Sequence, residues 1–189
     1  MRRKIIVSLA ALVAVLMTAA VATASVHLKG GANAEPSFTD NGLTLTADGA
    51  LSGLGNGNIA VILTATANTT ATCTNPAGAT QPPGQNPAPT TVSGGQFIPS
   101  SSIDKNGNVG FHVTTNPPTS PIAGAPECPN PKWTETITDL AFTSAVITVF
   151  QPANATGTGG TLVLTVTCSF SSPTSDGAVP GSNVTCTQS

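Results

Sequence analysis

The sequence predicts an all-β protein, an antiparallel two-sheet sandwich of Greek-key or immunoglobulin-like type with proline-rich loops and two disulfides. Apolar residues alternate with threonine, serine and asparagine at a period of two, as in half-buried strands. Glycine, proline and asparagine interrupt these runs about every ten residues, and helix signals are almost absent. Short strands without intervening helices favour two packed antiparallel sheets.

Residues 1–24 have the pattern of a secretory signal peptide. Three basic residues at positions 2–4 precede a long apolar run, which leads into an AxA cleavage site ending at Ala24. A retained membrane anchor is the alternative, because the run is close to the roughly 20 residues that cross a bilayer. We expect cleavage after Ala24 and a secreted protein, either extracellular or loosely associated with the cell wall.

The chain beyond Ala24 is acidic and poor in charge. It keeps three lysines and eight carboxylates, a net charge of −5 with histidine neutral, and no arginine. Binding to nucleic acid or to an anionic membrane needs clustered lysine and arginine. We therefore expect neither nucleic acid nor, once the signal is cleaved, a membrane as partner.

Residues 25–40 are expected to be a flexible N-terminal segment, and residues 41–189 to form a single β-sandwich domain. The first runs of this domain place their apolar residues on one phase. The inward residues predicted for these runs are Leu43, Leu45, Ile59, Val61, Leu63, Ala65, Ala67, Ala71, Cys73, Val109, Phe111 and Val113. Thr69 is the one polar residue that interrupts the longest of these runs.

Two later runs complete the pattern. In "LAFTSAVITVF" the apolar phase changes around Ser144, which predicts a bulge or a crossing between sheets. In "TLVLTVTCSFS" the even-numbered residues from Leu162 to Phe170 share the inward phase. Two proline-rich segments, "TNPAGATQPPGQNPAPTTVSGGQ" and "TTNPPTSPIAGAPECPNPKW", cannot be central strands because proline lacks a ladder donor, so we interpret them as surface loops.

The glycine-rich stretch "GLGNGN", residues 53–58, raises the question of a phosphate-binding loop. A dinucleotide fingerprint needs a strand before the glycines and a helix after them. Here a strand follows and its threonines oppose a helix. The sequence predicts a turn.

Four cysteines in a secreted chain indicate two disulfides, for which three connectivities are possible. Cys168 and Cys186 lie in successive strand patterns, which usually become neighbours. We therefore predict the pairs Cys168–Cys186 and Cys73–Cys128. A zinc site is the alternative, but no CxxC or paired histidine supports it.

No catalytic set is evident. Beyond the signal the histidines are His27 and His112, the latter on an outward strand phase, and no GxSxG elbow accompanies the serines. "DKNGNV", from Asp104, has oxygen ligands at alternate positions but lacks the glycine and glutamate of a calcium loop, so we predict a two-residue hairpin turn at Asn106-Gly107. We expect no enzyme activity, metal or cofactor.

Two loops are candidates for partner binding. "NPP", "NPKW" and "GTGG" resemble loops of chagasin-type cysteine-protease inhibitors, although "GTGG" here follows the tryptophan motif and no arginine precedes Pro-Trp. This resemblance implies an immunoglobulin-like fold that presents loops to a protease cleft. The candidate binding residues are Pro131, Lys132, Trp133, Gly157, Gly159 and Gly160.

A broader resemblance covers most of the chain beyond the signal. "GLGNGNIAVILTATANTTATCTNP", "QPPGQNPAP", "CPNPKWTETITDLAFTSAVITV" and "NVTCTQS" resemble small uncharacterised secreted proteins of soil bacteria, especially actinobacteria. The resemblance implies secretion and a β fold and no mechanism. We therefore expect a non-enzymatic secreted or cell-surface module, structural or binding, whose partner is an extracellular protein or glycan. The alternatives are a secreted protease inhibitor and a polysaccharide or cell-wall binding module centred on Trp133.

Overall fold

The computed structural model describes residues 25–82, 88–119, 128–130, 132–154 and 156–189. The described residues form eleven β-strands and two short 3-10 helices, Ser100–Ser102 and Gly181–Asn183. The strands are β1 His27–Leu28, β2 Ser37–Asp40, β3 Leu45–Ser52, β4 Ile59–Thr74, β5 Thr80–Gln81, β6 Thr90–Ile98, β7 Val109–Thr114, β8 Thr134–Gln151, β9 Thr161–Phe170, β10 Gly177–Ala178 and β11 Val184–Gln188. Among these residues, no helix is long and apolar enough to cross a membrane.

All strand pairs described are antiparallel, and they form two sheets, which confirms the predicted all-β fold with two antiparallel sheets. In sheet A, β3 pairs with β7 on one side and with β1 and β2 on the other, and β10 lies outside β2. Sheet B has the order β11-β9-β8-β4, and β5 and β6 both pair with the outer side of β4. The longest ladder joins β4 to β8 and runs from Ala60–Phe150 to Thr74–Thr134.

The core follows the period-two pattern that the sequence predicts. On β4 every odd-numbered residue from Ile59 to Cys73 is buried. Thr69 can keep this inward phase because its hydroxyl donates to the buried hydroxyl of Thr90, at the start of the neighbouring strand β6 (2.9 Å). The buried Thr69 hydroxyl therefore has a hydrogen-bond partner. An edge-to-face contact between Phe38 of sheet A and Phe170 of sheet B, 5.2 Å between ring centroids, joins the two inner faces.

Bulges on β8 explain the phase change around Ser144. The pairing with β4 shifts register between Thr66 and Ala67, so that Thr143 has no direct partner, and a second shift leaves Thr138 unpaired in the same way. The hydroxyl of Thr143 donates to the Thr66 carbonyl (3.2 Å), and that of Thr138 donates to the Thr70 carbonyl (3.3 Å). Each bulge therefore occurs where a threonine hydroxyl binds the opposite strand.

A third irregularity, in the pairing of β8 with β9, exposes one residue that was predicted to lie in the core. The β8–β9 register shifts between Val149 and Phe150, which pair with Leu164 and Leu162. The extra residue, Val163, turns inward, and Leu162 is 49% exposed on the outer face. The prediction that Leu162 shares the inward phase is wrong, because a one-residue bulge reverses the side-chain direction of everything beyond it.

Residues 25–40 differ from the expected flexible segment. β2 pairs with β3 over four residues, and Phe38 is 1% exposed in the core. β1 pairs with the far end of β3, where Leu28 is buried. These strands are only two and four residues long, too short for a period-two signal, yet both contribute a large apolar side chain to the core.

Two glutamines join the sheets at opposite sides of the sandwich. On one side, Gln188 of β11 accepts from the Leu28 backbone N–H (2.8 Å) and donates to the Gly31 carbonyl (3.0 Å). On the other side, Gln96 of β6 accepts from the His112 backbone N–H of β7 (2.9 Å). These bonds use backbone groups at strand edges that would otherwise be open to another chain.

Both predicted disulfides are present. Cys168 and Cys186 are directly opposite on β9 and β11, with 4.1 Å between their Cα atoms. Cys73, at the end of β4, bonds to Cys128 in the second proline-rich segment, with 5.6 Å between their Cα atoms. The described parts of both proline-rich segments are loops and short extended pieces, apart from β5, β6 and the ends of β4 and β7.

A buried carboxylate lies where sheet A meets β8. Asp40 is 2% exposed; its carboxylate accepts from the Gly42 N–H (2.9 Å) and from the Thr174 hydroxyl. The same hydroxyl accepts from the Phe142 N–H (2.8 Å), which connects β2 to β8. Burial raises the pKa of Asp40, and the nearby charges of Asp139 and Asp176 raise it further, against the lowering effect of its hydrogen bonds.

We expect Asp40 to make the protein less stable as the pH rises above about 4. The folded state holds the Asp40 proton more tightly than the unfolded chain, so the free energy of unfolding falls as the pH passes from the unfolded pKa to the raised folded pKa. Asp40→Asn keeps an acceptor for Gly42 and cannot ionise. Chemical denaturation at several pH values between about 3.5 and 7 should show stability of the variant rising relative to wild type; a constant difference between the two would contradict this assignment.

Candidate functional site

One end of the β4–β8 ladder extends beyond the rest of sheet B. β6 pairs with β4 only as far as Ala67, and β9 pairs with β8 only from Ser144 onward. Residues 68–74 and 134–143 therefore form a two-stranded extension of sheet B, here called the arm, whose inner face is buried at Ala71, Leu140 and Phe142 and to which β5 adds two residues at the far end. Its outward side chains on β4 are Asn68, Thr70, Thr72 and Thr74.

The tip of the arm carries the tryptophan loop. The N–H groups of Lys132 and Trp133 donate to the side chain and carbonyl of Asn130 (3.0 and 3.1 Å), which forms a compact turn just before β8. Trp133 is half-buried and Lys132 is exposed; Pro131 lies outside the described residues. The Cys73–Cys128 disulfide attaches this segment to the end of β4, and β8 begins directly after Trp133, so both sides of the loop are tied to the arm.

The second predicted loop is at the other end of β8. Gly157, Gly159 and Gly160 follow Gln151, while Trp133 precedes Thr134, and the 18 residues between these ends correspond to roughly 55 Å of strand. The structure therefore does not bring the two loops together on one surface. A protease cleft could engage only one of them at a time.

The glycines of the second loop have structural reasons. All three have positive φ angles, and a Cβ at Gly160 would lie 2.4 Å from the Pro152 carbonyl oxygen. The Asn154 side chain accepts from the N–H groups of Thr156 and Thr158 (3.1 and 2.9 Å). The geometry of the turn is therefore sufficient to explain the glycines of the motif "GTGG".

In the part of the chain that the structure describes, one hydrogen-bond pattern of a turn recurs at three places, which begin at Asn75, Asp104 and Asn154 and end at Ala79, Asn108 and Thr158. In each, the side chain of the first residue accepts from the N–H groups of the third and fifth, and the fourth residue is a glycine with positive φ. At Asp104 these bonds from Asn106 and Asn108 hold the carboxylate and lower its pKa. The turn at Asn106-Gly107 is confirmed, but it leads from β6 in sheet B to β7 in sheet A and is not a two-residue hairpin.

The stretch "GLGNGN" is a turn between β3 and β4, as predicted. The Gln151 side chain accepts from the Gly55 N–H (3.1 Å) and donates to the carbonyls of Gly55 and Gly57 (3.0 and 2.8 Å). The side chain at the end of β8 therefore occupies the Gly55 N–H, one of the backbone donors that a phosphate would need.

His112 and Asp48 form a close pair of titratable side chains on sheet A. His112 Nδ1 lies 2.5 Å from Asp48 Oδ1 across the β3–β7 ladder, and the two side chains are 68% and 45% exposed. Such an exposed pair contributes little to stability, since solvent screens it. The described residues contain no group of three or more His, Cys, Asp or Glu side chains arranged to hold a metal ion.

A groove on the outer face of sheet B was not predicted from the sequence. The groove runs along β6 and has a volume of about 390 Å³. Asn116 and the loop residues Thr156 and Gly157 also line it. Gly157, a predicted binding residue, belongs to its wall: a Cβ there would lie 3.6 Å from Phe97 Cβ. The signal that could have revealed it is the glycine pair Gly94-Gly95 in the middle of a strand.

The outer face beside the groove is apolar at one end. Cross-strand pairing places Phe97, Ala60, Phe150 and Leu162 in one row, and Ile62 in the next. Phe97, Phe150 and Ile62 are half-buried and Leu162 is exposed. Contiguous apolar surface of this kind usually marks an interaction site.

No family model, curated protein or solved structure matches this chain. The fold and the candidate surfaces therefore rest on the geometry described above.

The Cys73–Cys128 disulfide should stabilise the protein more than Cys168–Cys186. In the chain-entropy model, closing 55 residues contributes about 4 kcal/mol and closing 18 residues about 3 kcal/mol. Cys73→Ser with Cys128→Ser should also expose the arm tip to proteases, whereas Cys168→Ser with Cys186→Ser should not. Denaturant unfolding and limited proteolysis of the two double variants would test this, and cleavage at the tip in both would contradict it.

Proposed function

We propose that this chain is a non-enzymatic extracellular binding module that presents the arm tip to a partner outside the cell. The carrying observation is the Cys73–Cys128 disulfide, which ties the loop of the half-buried Trp133 to the end of the two-stranded arm. An aromatic ring in a fixed position loses little conformational entropy on binding, which is why tryptophan is common at binding hot spots.

The two disulfides indicate an oxidising, extracellular environment. Secretion through the signal-like residues 1–24 is part of the proposal and agrees with that environment. The immunoglobulin-like subclass of the sandwich likewise stays a prediction.

The positions and hydrogen bonds of the titratable side chains favour a binding role over catalysis. The His112–Asp48 pair lies on an exposed part of sheet A, and neither residue lines the groove of sheet B. Asp104 and Asp40 use their carboxylates within turns of the fold. The partner we propose is an extracellular protein or a glycan, with no cofactor required.

Co-sedimentation tests the arm tip. The oxidised protein without residues 1–24 is mixed with washed cell envelopes and with insoluble polysaccharides, beside Trp133→Ala and the control Thr187→Ala, an exposed residue on β11. We expect retention of wild type and of the control, and a loss of about tenfold or more for Trp133→Ala, the effect of removing a hot-spot aromatic.

Two results would overturn the proposal. Retention of Trp133→Ala equal to wild type would remove the arm tip from the binding surface. Hydrolysis of esters, peptides or glycans by repurified protein would replace binding by catalysis.

A further inference from the structure

The groove of sheet B has the size and form of a ligand site. Its volume of about 390 Å³ is within the range of small-molecule clefts. The residues that contribute side chains or open space to it are Ile62, Ser93, Gly95, Phe97, Asn116 and Thr156. It lies at the Gln151 end of β8, and the arm tip lies at the Thr134 end, so the two surfaces are separate.

Gly94 and Gly95 of β6 differ in the space that a side chain would find at each position. A Cβ at Gly94 would lie 2.0 Å from the Thr114 carbonyl oxygen, so the fold requires glycine where β6 approaches β7. A Cβ at Gly95 would meet nothing closer than the Val61 carbonyl oxygen at 3.7 Å. Packing and backbone geometry therefore do not explain Gly95.

Glycine in the middle of a strand weakens it, and a β-branched residue would be favoured there. What Gly95 provides is space: any side chain would rise from the outer face between Ile62 and the far end of the groove. A strand glycine that the fold does not need is typical of a place where a ligand approaches the backbone.

The chemistry of the groove selects a neutral ligand. Phe97 and Ile62 supply apolar surface, and Ser93, Asn116 and Thr156 carry hydroxyl and amide groups. Strands β6, β9 and β11, and residues 59–67 and 144–151 of β4 and β8, contain no charged residue at all. A charged ligand would lose hydration here without gaining a counter-charge.

We propose that this groove binds a neutral oligosaccharide. Sugar rings have an apolar C–H face that stacks on an aromatic ring and hydroxyls at the rim that exchange hydrogen bonds with amides and hydroxyls. Phe97 provides the stacking surface and Gly95 lets the ring approach the strand. The Asn116 amide already donates to the Ser93 carbonyl (3.0 Å) and the Thr156 hydroxyl to Asn154 (2.7 Å), so Asn116 Oδ1 and Thr156 Oγ1 act as acceptors for the sugar hydroxyls, beside the Ser93 hydroxyl. This second site does not depend on Trp133.

The test fills the groove without disturbing the fold. Gly95→Val places a β-branched side chain in open space on a strand, so its thermal midpoint should equal or exceed that of wild type. The oxidised proteins are assayed by pull-down on insoluble cellulose and chitin and by affinity electrophoresis in a soluble neutral β-glucan, with polygalacturonate as the charged comparison. We expect at least one neutral glycan to bind wild type, and Gly95→Val and Phe97→Ala to weaken this binding about tenfold or more.

Two matched variants separate this site from other surfaces. Thr167→Val changes an exposed hydroxyl on β9 of the same outer face and should retain the neutral glycan like wild type. Trp133→Ala changes the arm tip, and its comparison with Gly95→Val shows which of the two surfaces binds the glycan. Loss in Trp133→Ala with unchanged binding in Gly95→Val would support the arm tip and overturn the groove. The reverse pattern would support the groove alone.

Three further outcomes would also overturn the proposal. These are no binding of wild type to any neutral glycan of the panel, binding to polygalacturonate only, and self-association that Gly95→Val abolishes. The last result, read by sedimentation velocity, would assign the groove to a second copy of the chain.

Discussion

The antiparallel ladder between β4 and β8 is the interaction on which the rest of the structure depends. These two strands lie at the centre of sheet B, and their inner faces supply most of its buried side chains, including Leu63, Phe142 and Ile147. β6 and β9 complete the sheet on either side, and sheet A covers its inner face through Phe38, Leu45 and Leu51. Where β6 and β9 stop, the same ladder continues as the arm, so one pairing builds both the central part of sheet B and the arm.

The period of two allowed much of this fold to be predicted, because it reports directly which side of a strand faces the core. It placed Cys73 and Cys168 inward, and the disulfides formed as the neighbouring strand patterns indicated. It also located the bulge near Ser144, since a change of phase within one apolar run has few other causes. Turns were predictable at Asn106-Gly107 and in "GLGNGN" because glycine and asparagine identify them locally.

What the sequence did not reveal depends on long-range contacts. The bulge at Val163 sits between two apolar residues, so nothing in the local pattern shows that Leu162 turns outward. β1 and β2 both pair with β3, and β1 is also held by Gln188 of β11, which is 160 residues from Leu28. The groove arises because Gly95, Asn116 and residues 154–158 come together from three separate segments. The resemblance of the Trp133 and Gly160 loops to those of chagasin-type inhibitors predicted one binding surface, but a single long strand separates the two loops.

The uncharged outer face of sheet B has a consequence for how any contact there responds to its surroundings. Association steered by charge becomes slower and weaker as dissolved salt screens it, with a screening length of about 8 Å at physiological ionic strength. Strands β6, β9 and β11 contain threonine, serine, glutamine, glycine, cysteine and apolar residues and no charged residue, so these strands carry no charge for salt to screen. Contacts made through this face would therefore keep nearly the same strength from dilute to concentrated salt solution.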